Sequence, residues 1–266
     1  MAETPLIDTH SHIFDTAFEP DRPQVVKQAL EAGVCLQLMP NIDLSTVPAL
    51  LSTAEQHPCC LPMLGLHPTS VGQNFEHELD ALEHIIPQHK FYGIGEIGID
   101  LYWDTSLKAL QEEAFRIQLR WAKRTGLPVS IHVRSSFNEV LRVIDSEHDS
   151  RLAGVFHCFG GTVEQYHHIA DYGTFMVGLG GVATYKNGGF DKIAPIIDPN
   201  IMLLETDAPY LAPTPMRGKR NEPAYLEYTA AHLAKALHIA PAELKRITTQ
   251  NAIRLFGLPP TTLHNA

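Results

Sequence analysis

Eight short apolar runs, each separated from the next by room for a helix, constrain this chain more than any other feature. They lie at 6–9, 34–39, 61–66, 92–97, 129–133, 154–157, 174–177 and 202–206. They begin roughly 20–40 residues apart, the length of one strand plus one helix. Helical periods fit the gaps. Residues 106–125 place Leu107, Leu110, Ala114, Ile117 and Trp121 at helical spacing, stop at Gly126 and have Pro128 beyond. Residues 135–146 and 163–171 read the same way, and 222–237 and 242–256 supply two last helices, with Pro241 where a first turn tolerates proline. No linker, charge block or close repeat interrupts the 266 residues, so 1–266 reads as one domain. Eight units favour a closed α/β structure, the (β/α)8 TIM barrel. An open doubly wound sheet has the same periodicity. The Gly-rich phosphate fingerprint that would mark a dinucleotide-binding sheet is missing after the first run.

Composition narrows the function. No stretch approaches the roughly 18–20 apolar residues of a membrane span. The start, Met1 to Pro5, lacks the basic and apolar regions of a signal peptide. Cys35, Cys59, Cys60 and Cys158 fit neither a disulfide framework nor a thiolate zinc site, so a reducing cytoplasm is expected. A net charge of −10 argues against gripping long duplex DNA through a basic face. Bound cations can still supply local positive charge. Of the fifteen histidines, residues such as His57, His77, His84, His89, His148 and His264 read as surface groups.

The remaining histidines and several carboxylates fall where barrel chemistry belongs, at the C-terminal ends of strands. The first run ends in Asp8, His10 and His12, which share a face if the chain stays extended. The fourth carries Glu96 within an apolar, Gly-rich segment, and a buried carboxylate needs a partner. The fifth and sixth deliver His132 and His157, and Arg134 shares a face with His132. The eighth brings Glu205 and Asp207. Ligands from five strands converge only if the sheet closes, so site and fold support each other. Four imidazoles and two carboxylates (His10, His12, Glu96, His132, His157 and Asp207) suit two divalent ions with open positions. The ligand types suit zinc, manganese, nickel or iron; zinc, manganese and magnesium are the ions to try first.

The segments DTHSH at 8–12, GLHP at 65–68, GEIGID at 95–100, IHVR at 131–134, HCFGG at 157–161 and LETDAPYLAP at 204–213 together resemble the TatD family of metal-dependent deoxyribonucleases. NEPAYL at 221–226 and TTQNAIRLFGL at 248–258 extend the resemblance over about residues 6–258. It implies an amidohydrolase-type TIM barrel. His10, His12 and Asp207 would hold one ion, His132 and His157 the other, and Glu96 would bridge them. Three positions depart from the family pattern. Ser11 stands where cysteine is common, Ser135 and Ser136 follow Arg134 in place of Asp-Ala, and Gly160 replaces a serine. These concern the walls of the site rather than the ligands.

The expected reaction is attack of a metal-activated water on a phosphodiester, with Asp207 as proton acceptor. His67, Arg134, Lys219 and Arg220 are candidates to hold phosphate oxygens, and Asp8 and Glu205 to orient ligands. Gly178, Gly180 and Gly181 would let backbone approach a phosphate, or simply form a tight turn. The resemblance favours single-stranded DNA cut from its 3′ end. A small ester, lactone or aminoacyl-tRNA bond is the rival substrate, favoured by the acidic charge and by the scatter of Tyr102, Trp103, Tyr185 and Tyr210. A metal-binding protein without catalysis is the third alternative.

Overall fold

The computed structural model describes residues 4–258; Met1 to Glu3 and His264 lie outside the described residues. Eight parallel strands follow one another round the structure: β1 (Leu6–Asp8), β2 (Val34–Pro40), β3 (Cys60–Met63), β4 (Ile94–Asp100), β5 (Val129–Arg134), β6 (Gly154–Phe156), β7 (Phe175–Leu179) and β8 (Met202–Leu204). Between and after them run α1 (Arg22–Glu31), α2 (Val47–Gln56), α3 (Phe75–Ile85), α4 (Lys108–Thr125), α5 (Phe137–Glu147), α6 (Val163–Asp171), α7 (Phe190–Ile193), α8 (Leu226–Ala236) and α9 (Pro241–Phe256).

The ladders form two sheets, β1 to β3 and β4 to β8. Two seams join them into the expected barrel. At one, Leu64 and Ile94 form a lone bridge, and the Leu64 N–H donates to Gly93 O at 3.1 Å. At the other, Ser11 bridges Ala208 beyond the ends of β1 and β8. There the Thr9, Asp207 and His12 amides donate to Leu204, His10 and Ala208 carbonyls at 3.0, 2.8 and 2.7 Å. This seam lays the first and last metal-candidate segments side by side.

Boundaries moved at two strands that matter for the site. The fourth run, expected at 92–97, pairs as far as Asp100, opposite Arg134. The eighth, expected to 206, ends at Leu204; the Glu205 amide still donates to Leu179 O of β7 at 3.3 Å, and Thr206 and Asp207 then bond across the seam to Asp8 and His10.

Helix α4 shows how the outer layer fixes the mouth. Its buried positions Gln111, Ala114, Phe115, Gln118, Leu119, Trp121 and Ala122 follow helical spacing, and Gly126 caps it in the left-handed region at φ 73°. Two glutamines on that buried face do not pack as apolar residues would. Gln111 accepts from the Asp100 N–H at 2.8 Å and donates to Asp100 O at 3.1 Å. Gln118 clamps Leu66 in the same way, at 2.7 and 3.2 Å. The backbone beside two site residues, Asp100 and His67, is thereby tied to a rigid helix.

On the outer surface, Arg116, Arg120 and Lys123 of α4 reach Glu147 at the end of α5, at 3.4, 2.8 and 2.9 Å. Burial raises the pKa of Glu147, but its bonds to Arg120 and Lys123 outweigh that and hold it at about 2. A depressed carboxylate stabilises the fold above its unfolded pKa, and the effect fades as pH falls through the folded one. Glu147→Gln should therefore cost about 1 kcal/mol at pH 7 after allowance for solvent screening. The deficit should shrink between pH 4.5 and 2, measured as the denaturation midpoint of variant and parent. A pH-independent deficit would mean that packing, not charge, sets it.

Of the expected surface histidines, His77, His84 and His89 are exposed, whereas His57 and His148 are half-buried. His148 packs on the Tyr172 ring at 4.7 Å, so its alternative role is structural. No helix among the described residues is long and apolar enough to cross a membrane.

Candidate metal centre

Glu96, with 3 % of its side chain exposed, stands at the centre of the barrel mouth, and its two oxygens face different sets of nitrogen donors. Its amide donates to Asn41 O at 2.9 Å, which fixes it from the β2 side. Oε2 lies 3.2 Å from His10 Nε2 and 3.5 Å from His12 Nε2. Asp207 Oδ1 lies 3.7 and 3.5 Å from the same two nitrogens, which are 3.3 Å apart. Oε1 lies 2.8 Å from His132 Nδ1, 2.9 Å from His157 Nε2 and 3.4 Å from His67 Nε2.

These separations test the fit to a metal. Four donors at about 2.0–2.1 Å from one ion in a tetrahedron stand about 3.4 Å from each other. The first set spans 3.2 to 3.7 Å, and His132 Nδ1 is 3.4 Å from His157 Nε2 in the second. The first set has the spacing of ligands around an ion; in the second the two imidazoles do, while Glu96 Oε1 stands closer to them, at 2.8 and 2.9 Å. Only Glu96 and His132 lie inside strands. The others stand just past strand ends, where the chain is free to leave the ladder and turn a side chain inward.

The rings are oriented from behind. Ser130 Oγ sits 3.1 Å from His10 Nδ1, and His132 Nε2 bonds Asp100 Oδ2 at 3.0 Å. Asp100 and Ser130 are absent from the sequence-derived site. The signal was there: Asp100 shares the Glu96 face of β4, and Ser130 the His132 face of β5, at strand period two. Behind His157, Glu205 is fully buried, accepts from the Cys158 N–H, and has Oε1 3.6 Å from His157 Nδ1. Asp8, also fully buried, accepts from the Thr206 N–H at 2.9 Å and bonds its hydroxyl at 2.5 Å. It also accepts from the His10 N–H at 3.3 Å, so it ties β1 to β8 at the level of the site. Burial drives the Asp8 pKa up to about 8 against those bonds.

His67 is neutral and polarised. Burial lowers its pKa. The Thr69 N–H donates to its Nδ1 at 3.1 Å, which leaves the ring proton on Nε2, facing Glu96. It is a donor aimed into the site.

Of the expected phosphate groups, Arg134 is exposed and lies against the Tyr102 and Trp103 rings, and Lys219 is exposed on the loop after β8. Arg220 is placed differently. Its guanidinium is held by Asp21 at 2.7 Å and Glu222 at 3.0 Å and donates to Ala17 O, so its hydrogen bonds are already committed. Of the glycines expected to follow the seventh strand, Gly178 lies inside β7 and has another explanation. A Cβ on Gly178 would lie 2.1 Å from Glu205 Oε2, so the position is small to admit that carboxylate.

Electrostatics follow from burial competing with the charge ring. Burial opposes protonation of His12, His132 and His157, but facing carboxylates outweigh it. Asp207 and Glu96 lift His12 to about 9, Asp100 and Glu96 lift His132, and Glu96 and Glu205 push His157 well up. Burial and the neighbouring His157 lower His10. Burial raises Glu96 and Asp207, yet the surrounding histidines hold Glu96 well below the usual range and Asp207 below it too. In the metal-free protein His12 and His157 therefore carry protons at neutral pH, and a ligand must lose its proton to bind. Loading Zn²⁺ at pH 7 should release about two to three protons per chain, and metal affinity should rise with pH. An indicator dye in weak buffer measures it; uptake without acidification would contradict this charge assignment.

A parallel barrel with imidazole and carboxylate donors gathered at its mouth defines a class, the metal-dependent hydrolases. Within that class the sequence matches the model of the TatD related DNase family over residues 7–257, and the chain belongs to that family. It is 33% identical to the uncharacterized metal-dependent hydrolase YabD of Bacillus subtilis, over 95% of this chain and 99% of that protein. It is 32% identical to the 3′-5′ ssDNA/RNA exonuclease TatD of Citrobacter koseri, with the same coverage of each. The crystal structure of YJJV, a TatD homologue from Escherichia coli K12, superposes with a TM-score of 0.90 at 27% identity, covering 96% of this chain and 98% of the other.

Proposed function

We propose that this enzyme is a two-ion 3′-5′ exonuclease that cleaves phosphodiester bonds in single-stranded DNA, and by the same chemistry RNA. The observation that carries the reading is Glu96, one buried carboxylate whose two oxygens each face a separate set of imidazole donors. His10, His12, Asp207 and Glu96 Oε2 would hold one ion; His132, His157 and Glu96 Oε1 the other. Bound there, zinc, manganese or magnesium would lower the pKa of a water toward ~7 and offset charge on the phosphoryl group.

The chain's own groups divide the remaining work. Asp207 has 13 % of its side chain exposed and is kept unprotonated by His12, His10 and His157, so it serves as general base. The Nε2–H of His67 donates to a phosphate oxygen. Arg134 and Lys219 bind further along the strand. Asp100 and Glu205 hold His132 and His157 in position.

The rim supports a polyanionic substrate over a small ester. Most cations of the helical layer pair with acids, as around Glu147, and Arg220 is paired too. At the end of β5 and on the loops after β7 and β8, Arg134, Lys186, Arg217 and Lys219 are exposed and make no salt bridge among the described residues. Four free cysteines agree with residence in a reducing cytoplasm.

The test is hydrolysis of a 3′-labelled single-stranded oligonucleotide by metal-stripped protein, restored with Mg²⁺, Mn²⁺ or Zn²⁺, with Glu96→Ala as control. Stepwise shortening from the 3′ end, absent in the variant, is expected. Protein shown to hold metal that cuts no oligonucleotide would move the reading to an ester or amide substrate, or to metal binding alone.

A further inference from the structure

The loop after β4 carries the most exposed of the large hydrophobic side chains among the described residues. Trp103 is 73 % exposed and Tyr102, beside it, 56 %. Rings left this open contribute little to the fold, since more than half of each stays in contact with water. They are nevertheless arranged. The two rings stand at 89° with centroids 4.8 Å apart and form a corner. The Arg134 guanidinium fills that corner, 3.9 Å from the Tyr102 centroid and 5.2 Å from that of Trp103.

Short covalent and hydrogen-bonded links join the corner to the metal centre. The Tyr102 N–H donates to Asp100 Oδ1 at 2.9 Å, while Asp100 Oδ2 holds His132. Arg134 stands two residues beyond His132 on β5, and its carbonyl accepts from the Leu101 N–H at 2.9 Å. An aromatic face, a cation against it and a reactive centre lie within one connected unit at the mouth.

From this we infer that Tyr102, Trp103 and Arg134 form a nucleobase platform, on which one unpaired base of the substrate stacks on Trp103 while Arg134 binds the phosphate of that nucleotide. The inference rests on the phosphodiester reading and specifies its substrate. A base inside a duplex already has neighbours on both faces, so the platform selects single strands. Stacking tolerates any base, because every base has a π face.

The experiment compares an oligonucleotide with a chain of equal length whose 3′-terminal residues are abasic. Base–aromatic stacking is worth about 1–3 kcal/mol. Trp103→Ala should therefore lower the preference in kcat/KM for the base-bearing chain about tenfold, mostly through KM, and Trp103→Phe should restore much of it. Binding gives a readout free of turnover. Trp103 is one of two tryptophans, and the other, Trp121, is buried. In Asp207→Asn protein with Mg²⁺, the oligonucleotide should quench the exposed emission and the abasic chain should not. An unchanged preference in Trp103→Ala, or equal quenching by both chains, would overturn the platform while leaving the nuclease intact. No cleavage of either chain by the parent enzyme would instead sink the nuclease reading, with quenching still deciding whether a base binds here.

Discussion

Asp207→Asn should lower kcat on a single-stranded oligonucleotide by about 10³-fold or more and leave the fold unchanged. A positioned general base contributes about 10²–10⁴, and this residue is also a proposed ligand. Asparagine keeps the volume and the backbone bonds of the seam, where the residue 207 amide donates to His10 O. What it loses is the negative charge that sits 3.5 Å from His12 and the ability to take a proton. The second donor set does not include Asp207, so one ion should stay bound. Metal content by elemental analysis, thermal unfolding and single-turnover cleavage separate these effects. Near-parental kcat with full metal content would remove Asp207 from the proposed chemistry.

The second large effect concerns stability at the same site. Gly98 lies in β4 opposite His132, at φ +141°, and a Cβ there would come 2.1 Å from the His132 carbonyl oxygen. Backbone, not a flexible side-chain end, stands in the way. Gly98→Ala must separate β4 from β5 between Glu96 and Asp100, at a cost of about 3 kcal/mol or more. Gly126→Ala is the control. Its φ is also positive, at +73°, but open space surrounds it, so the cost should stay near ~1 kcal/mol. Urea midpoints of the two variants measure the difference. Equal losses would show that φ alone, and not the close approach of the strands, makes Gly98 necessary.

Much of the centre was legible in the sequence because strands declare themselves locally. An apolar run that ends in histidine or carboxylate is visible without any partner, and this marked His10, His12, Glu96, His132, His157 and Asp207. Asp8 and Glu205 were marked as orienting acids in the same way, but a third was harder. Asp100 was hidden by the expectation that the fourth strand stops at 97, when Gln111 of α4 holds its backbone in place. His67 carried no mark of its protonation state, which depends on the Thr69 amide. Arg220 looked like a phosphate-binding cation in a loop, but Asp21, far away in sequence, occupies it.

By itself, then, the sequence determined the order of eight strand–helix units, the residue types at their ends and the family. These depend on short-range periodicity and on which side chains tolerate burial. Tertiary structure alone decided which donors share an oxygen of Glu96, that His10 lies beside Asp207 across the closing seam, and which cations remain unpaired on the rim. Those outcomes turn on strand ends that pair weakly or not at all. There the side-chain directions follow from how the barrel closes, and no local pattern encodes that closure.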